Sequence, residues 1–247
     1  MIAVSLGGWL AASGAGVAVG AGRHALAGRM ESVARACHEL RGPLTAARLG
    51  LQLGVSTGEL SPARLRAIDL ELGRAALALE DLDSARTRRM GAWRPPEPVD
   101  LEELVRDSVE AWRAAASAWG VSLSASWAGS PARVWGDRLR LAQATGNLIA
   151  NAIEHGGGVV SVSGCCAGPG CARIEVADAG PGLPAPVGEL ARRRHRGRGM
   201  RGRGLAIAAA VAASHGGRLA SAPSPRGARL VLELPAVGGR ARGGEGA

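Results

Sequence analysis

The chain has 247 residues, 47% of them hydrophobic, with a formal net charge of +9, which is enough apolar material for one or two domains. Such basicity suits nucleic acid, an acidic membrane surface or bound phosphates. The densest basic run, RRRHRGRGMRGR at residues 192–203, carries seven Arg but none of the aromatic residues that stack on bases, so nucleic acid is not expected as a partner.

Residues 1–22, MIAVSLGGWLAASGAGVAVGAG, contain no charge. As a helix at ~1.5 Å per residue they would span about 33 Å, enough to cross a bilayer core. Arg23 and Arg29 follow at once, which places the remainder on the cytoplasmic side. One membrane span is therefore expected, with Ala12, Gly16 and Gly20 as a ridge of small residues able to pack against a second copy.

From Arg23 to Met90 the pattern is helical. Met30, Val33, Cys37, Leu40, Leu44, Ala47 and Leu51 recur in steps of three and four, as do Leu65, Ile68, Leu72, Ala75, Leu79 and Leu82. These are two heptad stripes. The loop STGELSP joins them, with Ser61 and Pro62 as cap and first turn of the second helix. Two such helices bury little alone, so a homodimer forming a four-helix bundle is expected.

GAWRPPEPVD, residues 91–100, reads as a Pro-rich linker entering a strand. From residue 93 to 235 the elements predicted are a helix at about 101–119, strands at 121–127 and 132–137, and a helix at 137–155. A strand hairpin, VVSVSGC and ARIEVAD, follows; then come a helix from Gly204 to His215 and strands near 217–221 and 228–234. This is an α/β sandwich, a mixed sheet with helices on one face. Residues 236–247 are expected to be disordered. Cys165, Cys166 and Cys171 lie in the hairpin turn GCCAGPGC, where no His or second Cys pair gives a zinc spacing.

Two stretches carry chemistry. In CHELRGPL, residues 37–44, Cys37 and Leu40 belong to the core stripe, so His38 falls on the flank, next to Glu39 and before the helix-bending Pro43. In GNLIANAIEHG, residues 146–156, Asn147 and Asn151 are the only asparagines of the chain. Spaced i and i+4, they point the same way from a helix.

Together with DAGPG (178–182) and GMRGRGLAIAAAVAASHGG (199–217), these stretches resemble, in order, the H, N, G1 and G2 boxes of sensor histidine kinases. The resemblance covers residues 30–234. It implies an α+β protein: a dimeric helical-hairpin phosphoacceptor domain (23–92) followed by a Bergerat-type ATP-binding α/β sandwich (93–235), behind one membrane helix (1–22). It implies that His38 takes the γ-phosphoryl group of ATP, with Glu39 accepting the other ring N–H and raising nucleophilicity. Asn151 would hold Mg²⁺ on the phosphates with Asn147 beside it, because a neutral amide oxygen ligates a hard cation without repelling the triphosphate. Asp178 would accept from the adenine amino group. Gly180 and Gly182 would let the backbone approach the base, and Gly202, Gly204 and Leu205 would bring helix N-terminal amides to the phosphates. The implied partners are a second copy, the membrane and a cytoplasmic response regulator whose aspartate receives the phosphoryl group.

The chain departs from the family in places. No Phe exists for an F box, only 19 residues separate Gly182 from Gly202, Met200 replaces the first G2 glycine, and Glu154 replaces a basic residue. A degenerate kinase acting as a scaffold or as the regulator of another kinase is the alternative. Gly42 stands where the family commonly carries a polar side chain that orients water for dephosphorylating the regulator, so phosphatase activity is expected to be weak.

Overall fold

The structure, a computed structural model, describes residues 40, 42–56, 61–87, 95–168, 170–192 and 203–237. The apolar stretch 1–22, Cys37, His38, Glu39, Met200, Gly202 and residues 238–247 lie outside the described residues. Among the described residues no helix is long and apolar enough to cross a membrane.

A helical hairpin comes first. Helix α1 runs over residues 42–56 and α2 over Pro62–Thr87. Ser61 opens α2 as its sequence suggests, its Oγ accepting the Arg64 N–H at 3.3 Å. The heptad stripe splits on folding. Ile68 and Ala75 are buried, whereas Leu65, Leu72 and Leu79 keep 49%, 50% and 52% of their surface, as do Leu44 (49%) and Leu51 (44%) on α1. A second face of α2, with Ala67, Leu70, Glu71, Arg74, Leu77 and Ala78, is also buried. The heptad pattern did not announce that face, and part of it docks on the α/β unit.

That unit begins with β1 (Glu97–Asp100), which pairs antiparallel with β3 (Arg133–Gly136) as a two-stranded ribbon. Two helices start on Asp caps. Asp100 accepts from the N–H groups of Glu102 and Glu103 and opens α3 (Leu101–Ala118). Asp137 accepts from those of Leu139 and Arg140 and opens α4 (Arg138–His155). Each cap satisfies donors that the first helical turn leaves open.

The main sheet has the order β2-β4-β5-β7-β6, built from β2 (Ser122–Ala128), β4 (Val159–Cys166), β5 (Cys171–Asp178), β6 (Arg218–Ser221) and β7 (Arg229–Pro235). Only β2 and β4 run parallel. Val160, Val162, Ala172, Ile174 and Val176 face the helices and are buried, as period-2 alternation requires. On the other face Arg229 pairs with Glu175 at 2.8 Å, and Glu233 binds both Arg173 (2.7 Å) and Arg218 (2.5 Å). Helices α3, α4 and α6 (Arg203–Ser214) cover the apolar face, with Leu104, Val109, Leu148, Ile149, Ala208 and Ala212 fully buried in the shared core.

Two details differ from the sequence reading. A short helix, α5 (Val187–Arg192), occupies the segment after Gly182. The order expected to stop at residue 235 continues, because Ala236 donates to the Gly170 carbonyl at 2.8 Å and Val237 to that of Arg133 at 2.7 Å.

Candidate nucleotide site

Asn147 and Asn151 stand on α4, four residues apart and half-buried. The Nδ2 of Asn147 is buried and has no hydrogen-bond partner among the described residues. A buried amide left this way costs about 1–3 kcal/mol. The start of α6 closes over it. A Cβ on Gly204 would sit 3.4 Å from the Asn147 Cβ, so the absence of a side chain there lets the two backbones approach. Leu205 follows and is buried.

Asp178 ends β5, and among the described residues only one of its carboxylate oxygens is hydrogen-bonded. Oδ1 accepts from the Gly180 N–H at 2.9 Å and from the Ala228 N–H at 3.0 Å. The loop is compressed by glycines. A Cβ on Gly227 would overlap the Asp178 carbonyl oxygen, and Gly227 also has φ +75°. A Cβ on Gly180 would overlap the His155 carbonyl, and one on Gly156 would overlap Asp178 itself. Ala179 donates to the Gly156 carbonyl at 3.0 Å. This ties the Asp178 loop to the end of α4, one turn beyond Asn151.

The structure thus brings together Asn147, Asn151, Asp178, Gly180, Gly204 and Leu205, with Gly182 at φ +86° in the same turn. His38, Glu39 and Gly202 lie outside the described residues. Glu154 is exposed on α4. Sequence reasoning missed Gly156, Gly227 and Ala228, which act through backbone approach and a backbone N–H.

A different surface of α4 meets the hairpin. Arg74 of α2 lies against Gly146, where a Cβ would overlap its guanidinium, and 5.9 Å from the ring of Trp112 on α3. The Trp112 ring also reaches α1, 3.2 Å from where a Cβ on Gly42 would stand. Arg74 binds both oxygens of Glu71 at 2.7 Å, with the two side chains 3% and 1% exposed. Burial pushes the Glu71 carboxyl above the usual carboxylate range, and the Arg74 guanidinium pulls it part of the way back. Arg74 Nε, Ser108 Oγ and Trp112 Nε1 are buried there without partners among the described residues.

Residues 136–238 match the family of histidine kinase-, DNA gyrase B- and HSP90-like ATPases. The chain is 34% identical over 222 residues to the probable sensor histidine kinase TcrY of Mycobacterium tuberculosis, covering 83% of this chain and 46% of TcrY. It is 31% identical over 223 residues to the histidine-protein kinase BaeS of Escherichia coli, covering 84% of this chain and 47% of BaeS. Among solved structures, the mycobacterial sensor histidine kinase MprB is 30% identical at a TM-score of 0.50, over 58% of this chain and 99% of that one. The chain belongs to the sensor histidine kinases. It spans about half the length of the curated relatives it matches. ShkA, solved full-length in complex with AMPPNP, is similar over 81% of this chain and 44% of that one, at 25% identity and a TM-score of 0.55.

Proposed function

We propose that this sensor histidine kinase is a membrane-anchored homodimer that phosphorylates His38 from Mg-ATP and passes the phosphoryl group to an aspartate of a response regulator. The observation that carries the ATP step is the pairing of two unfinished polar groups: a buried Asn147 amide without a partner, and an Asp178 carboxylate with one oxygen already fixed. A carboxylate fixed through one oxygen suits an adenine amino group, and an orphan amide suits a phosphate oxygen.

In this reading Asp178 orients the base and the α6 N-terminus faces the phosphates. Asn151 and the phosphates themselves would hold Mg²⁺, in keeping with a metal that takes one or two protein ligands and keeps the rest for substrate. When bound, the metal draws negative charge off the phosphates. His38 then attacks the γ-phosphorus, the bond from that phosphorus to the ADP oxygen breaks, and Glu39 accepts the remaining ring N–H.

The half-exposed stripe of Leu44, Leu51, Leu65, Leu72 and Leu79 is where a second copy would pack. Residues 1–22 would serve as the anchor and withstand alkaline carbonate washing. Gly42 offers no polar group to orient water, which favours kinase over phosphatase activity. Because Gly42 faces Trp112, threonine at 42 would press on the ring as well as supply a hydroxyl.

The test is incubation with Mg-ATP. Incorporated phosphate should be acid-labile and base-stable, and absent from His38→Ala. Phosphate that persists in His38→Ala, or resists acid, sinks the assignment.

A further inference from the structure

His215 follows α6 and uses both ring nitrogens. Nε2 accepts the backbone N–H of Asp137 at 3.0 Å, a partner 78 residues away. Nδ1 lies 2.8 Å from the Val211 carbonyl oxygen, so the proton sits on Nδ1 and is donated there. The ring fits because residue 136 is glycine; a Cβ at that position would overlap its Cδ2. Asp137 is also the cap of α4. One side chain therefore ties the C-terminal end of α6 to the N-cap of the helix that carries both asparagines.

The opposite end of the same antiparallel pair is the Gly204–Asn147 contact, about 15 Å away at ~1.5 Å per residue. Between the two ends, α6 buries Ala208 and Ala212 completely. Leu205 and Val211 are buried as well, but the two completely buried side chains are alanines, which offer a single methyl each to interlock with the facing helix. The polar tie at the far end supplies what those side chains lack.

We propose that His215 is a positioning residue for the nucleotide phosphates. By fixing the register of α6 on α4, it sets where the amides of Gly204 and Leu205 stand relative to Asn147 and Asn151. A displacement of about 1 Å at a reacting centre can lower a rate by about 10²-fold. The inference rests on the reading that these residues hold ATP.

The test compares affinities of the full chain for Mg-ATP and for AMP, which lacks the β- and γ-phosphates. In His215→Gln, Oε1 can take the Asp137 N–H as Nε2 does, so Mg-ATP affinity should stay within a few-fold of wild type. His215→Asn keeps only the Val211 side of the tie and should bind Mg-ATP about tenfold more weakly, as expected for one lost hydrogen bond, with AMP affinity little changed. Gly136→Ala, which displaces the ring without removing it, should show the same selective loss and serves if His215→Asn does not fold. If wild type binds Mg-ATP and the replacements lose both ligands equally, or lose neither, His215 is not a positioning residue. If wild type binds neither ligand, the nucleotide reading has failed as well.

Discussion

Helix α4 has two neighbours, and they meet it in different ways. Toward α6 and the Asp178 loop its contacts are small apolar side chains, close glycine backbones and polar groups paired with backbone: His215 with Asp137 and Val211, Asp178 with Gly180 and Ala228. Among the described residues the one buried side-chain atom there without a partner is the Asn147 amide, where the proposed phosphates would lie. Toward the hairpin the seam holds the Glu71–Arg74 pair, and the seam's Asp107, 2% exposed, binds Arg138 at 2.6 Å and lies 3.6 Å from Arg66. Three polar atoms around it lack partners among the described residues. Paired polar networks rigidify a core, whereas buried charges gain little over remaining in water. One side of α4 is therefore built to stay closed, while the other is a domain contact held with little surplus free energy.

The largest effect should come from breaking the closed side. Gly227→Val places a branched side chain at φ +75° and against the Asp178 carbonyl. It should abolish measurable ATP binding; calorimetric titration with near-normal affinity would show that the loop does not depend on this close approach. On the hairpin side, Arg74→Ala leaves Glu71 buried without its cation and should destabilise the chain by about 3–5 kcal/mol. The double replacement Glu71→Leu with Arg74→Met should restore stability to within about 1 kcal/mol of wild type or exceed it. Denaturant titration of both variants decides this, and a double variant as unstable as the single one would mean that the pair has no apolar substitute.

Asp100→Ala removes a cap on α3, the helix that carries Trp112 and Asp107 into the seam. It should cost about 1 kcal/mol and leave ATP affinity unchanged. The smallest effect belongs to the open face of the sheet, which touches neither seam. Glu233 is held below the usual carboxylate range, chiefly by its hydrogen bond to Arg218. A lowered carboxyl stabilises above its unfolded value and loses that contribution as the pH falls through the folded value. Glu233→Gln should therefore slightly flatten the acid side of a thermal-stability profile. An unchanged profile would show that the surface pair contributes nothing measurable.

Part of the closed side was legible in the sequence, and little of the hairpin side was. Helices were expected from about residues 101 and 137, and Asp100 and Asp137 cap them. Asn147 and Asn151 stood out because the chain has no other asparagine. Gly227 and Ala228 were not legible, since they contribute close approach and an N–H that no side-chain pattern encodes. The role of His215 was hidden for a related reason: its partners are backbone groups, one of them 78 residues distant. Glu71 and Arg74 occupy positions that a heptad reading assigns to solvent, and only their tertiary contact with Trp112 and Gly146 buries them. Helix α5, six residues within Gly- and Pro-rich sequence, was too short for periodicity to register.

The most direct measurement is calorimetric titration of the full chain with ATP, with and without Mg²⁺, in wild type, Asp178→Ala and Asn151→Ala. Wild type should bind, and more tightly with the metal. Asp178→Ala should lose binding under both conditions, while Asn151→Ala should lose only the part that Mg²⁺ adds. Equal affinity in all three proteins, or a metal dependence that survives in Asn151→Ala, would contradict the nucleotide site described above.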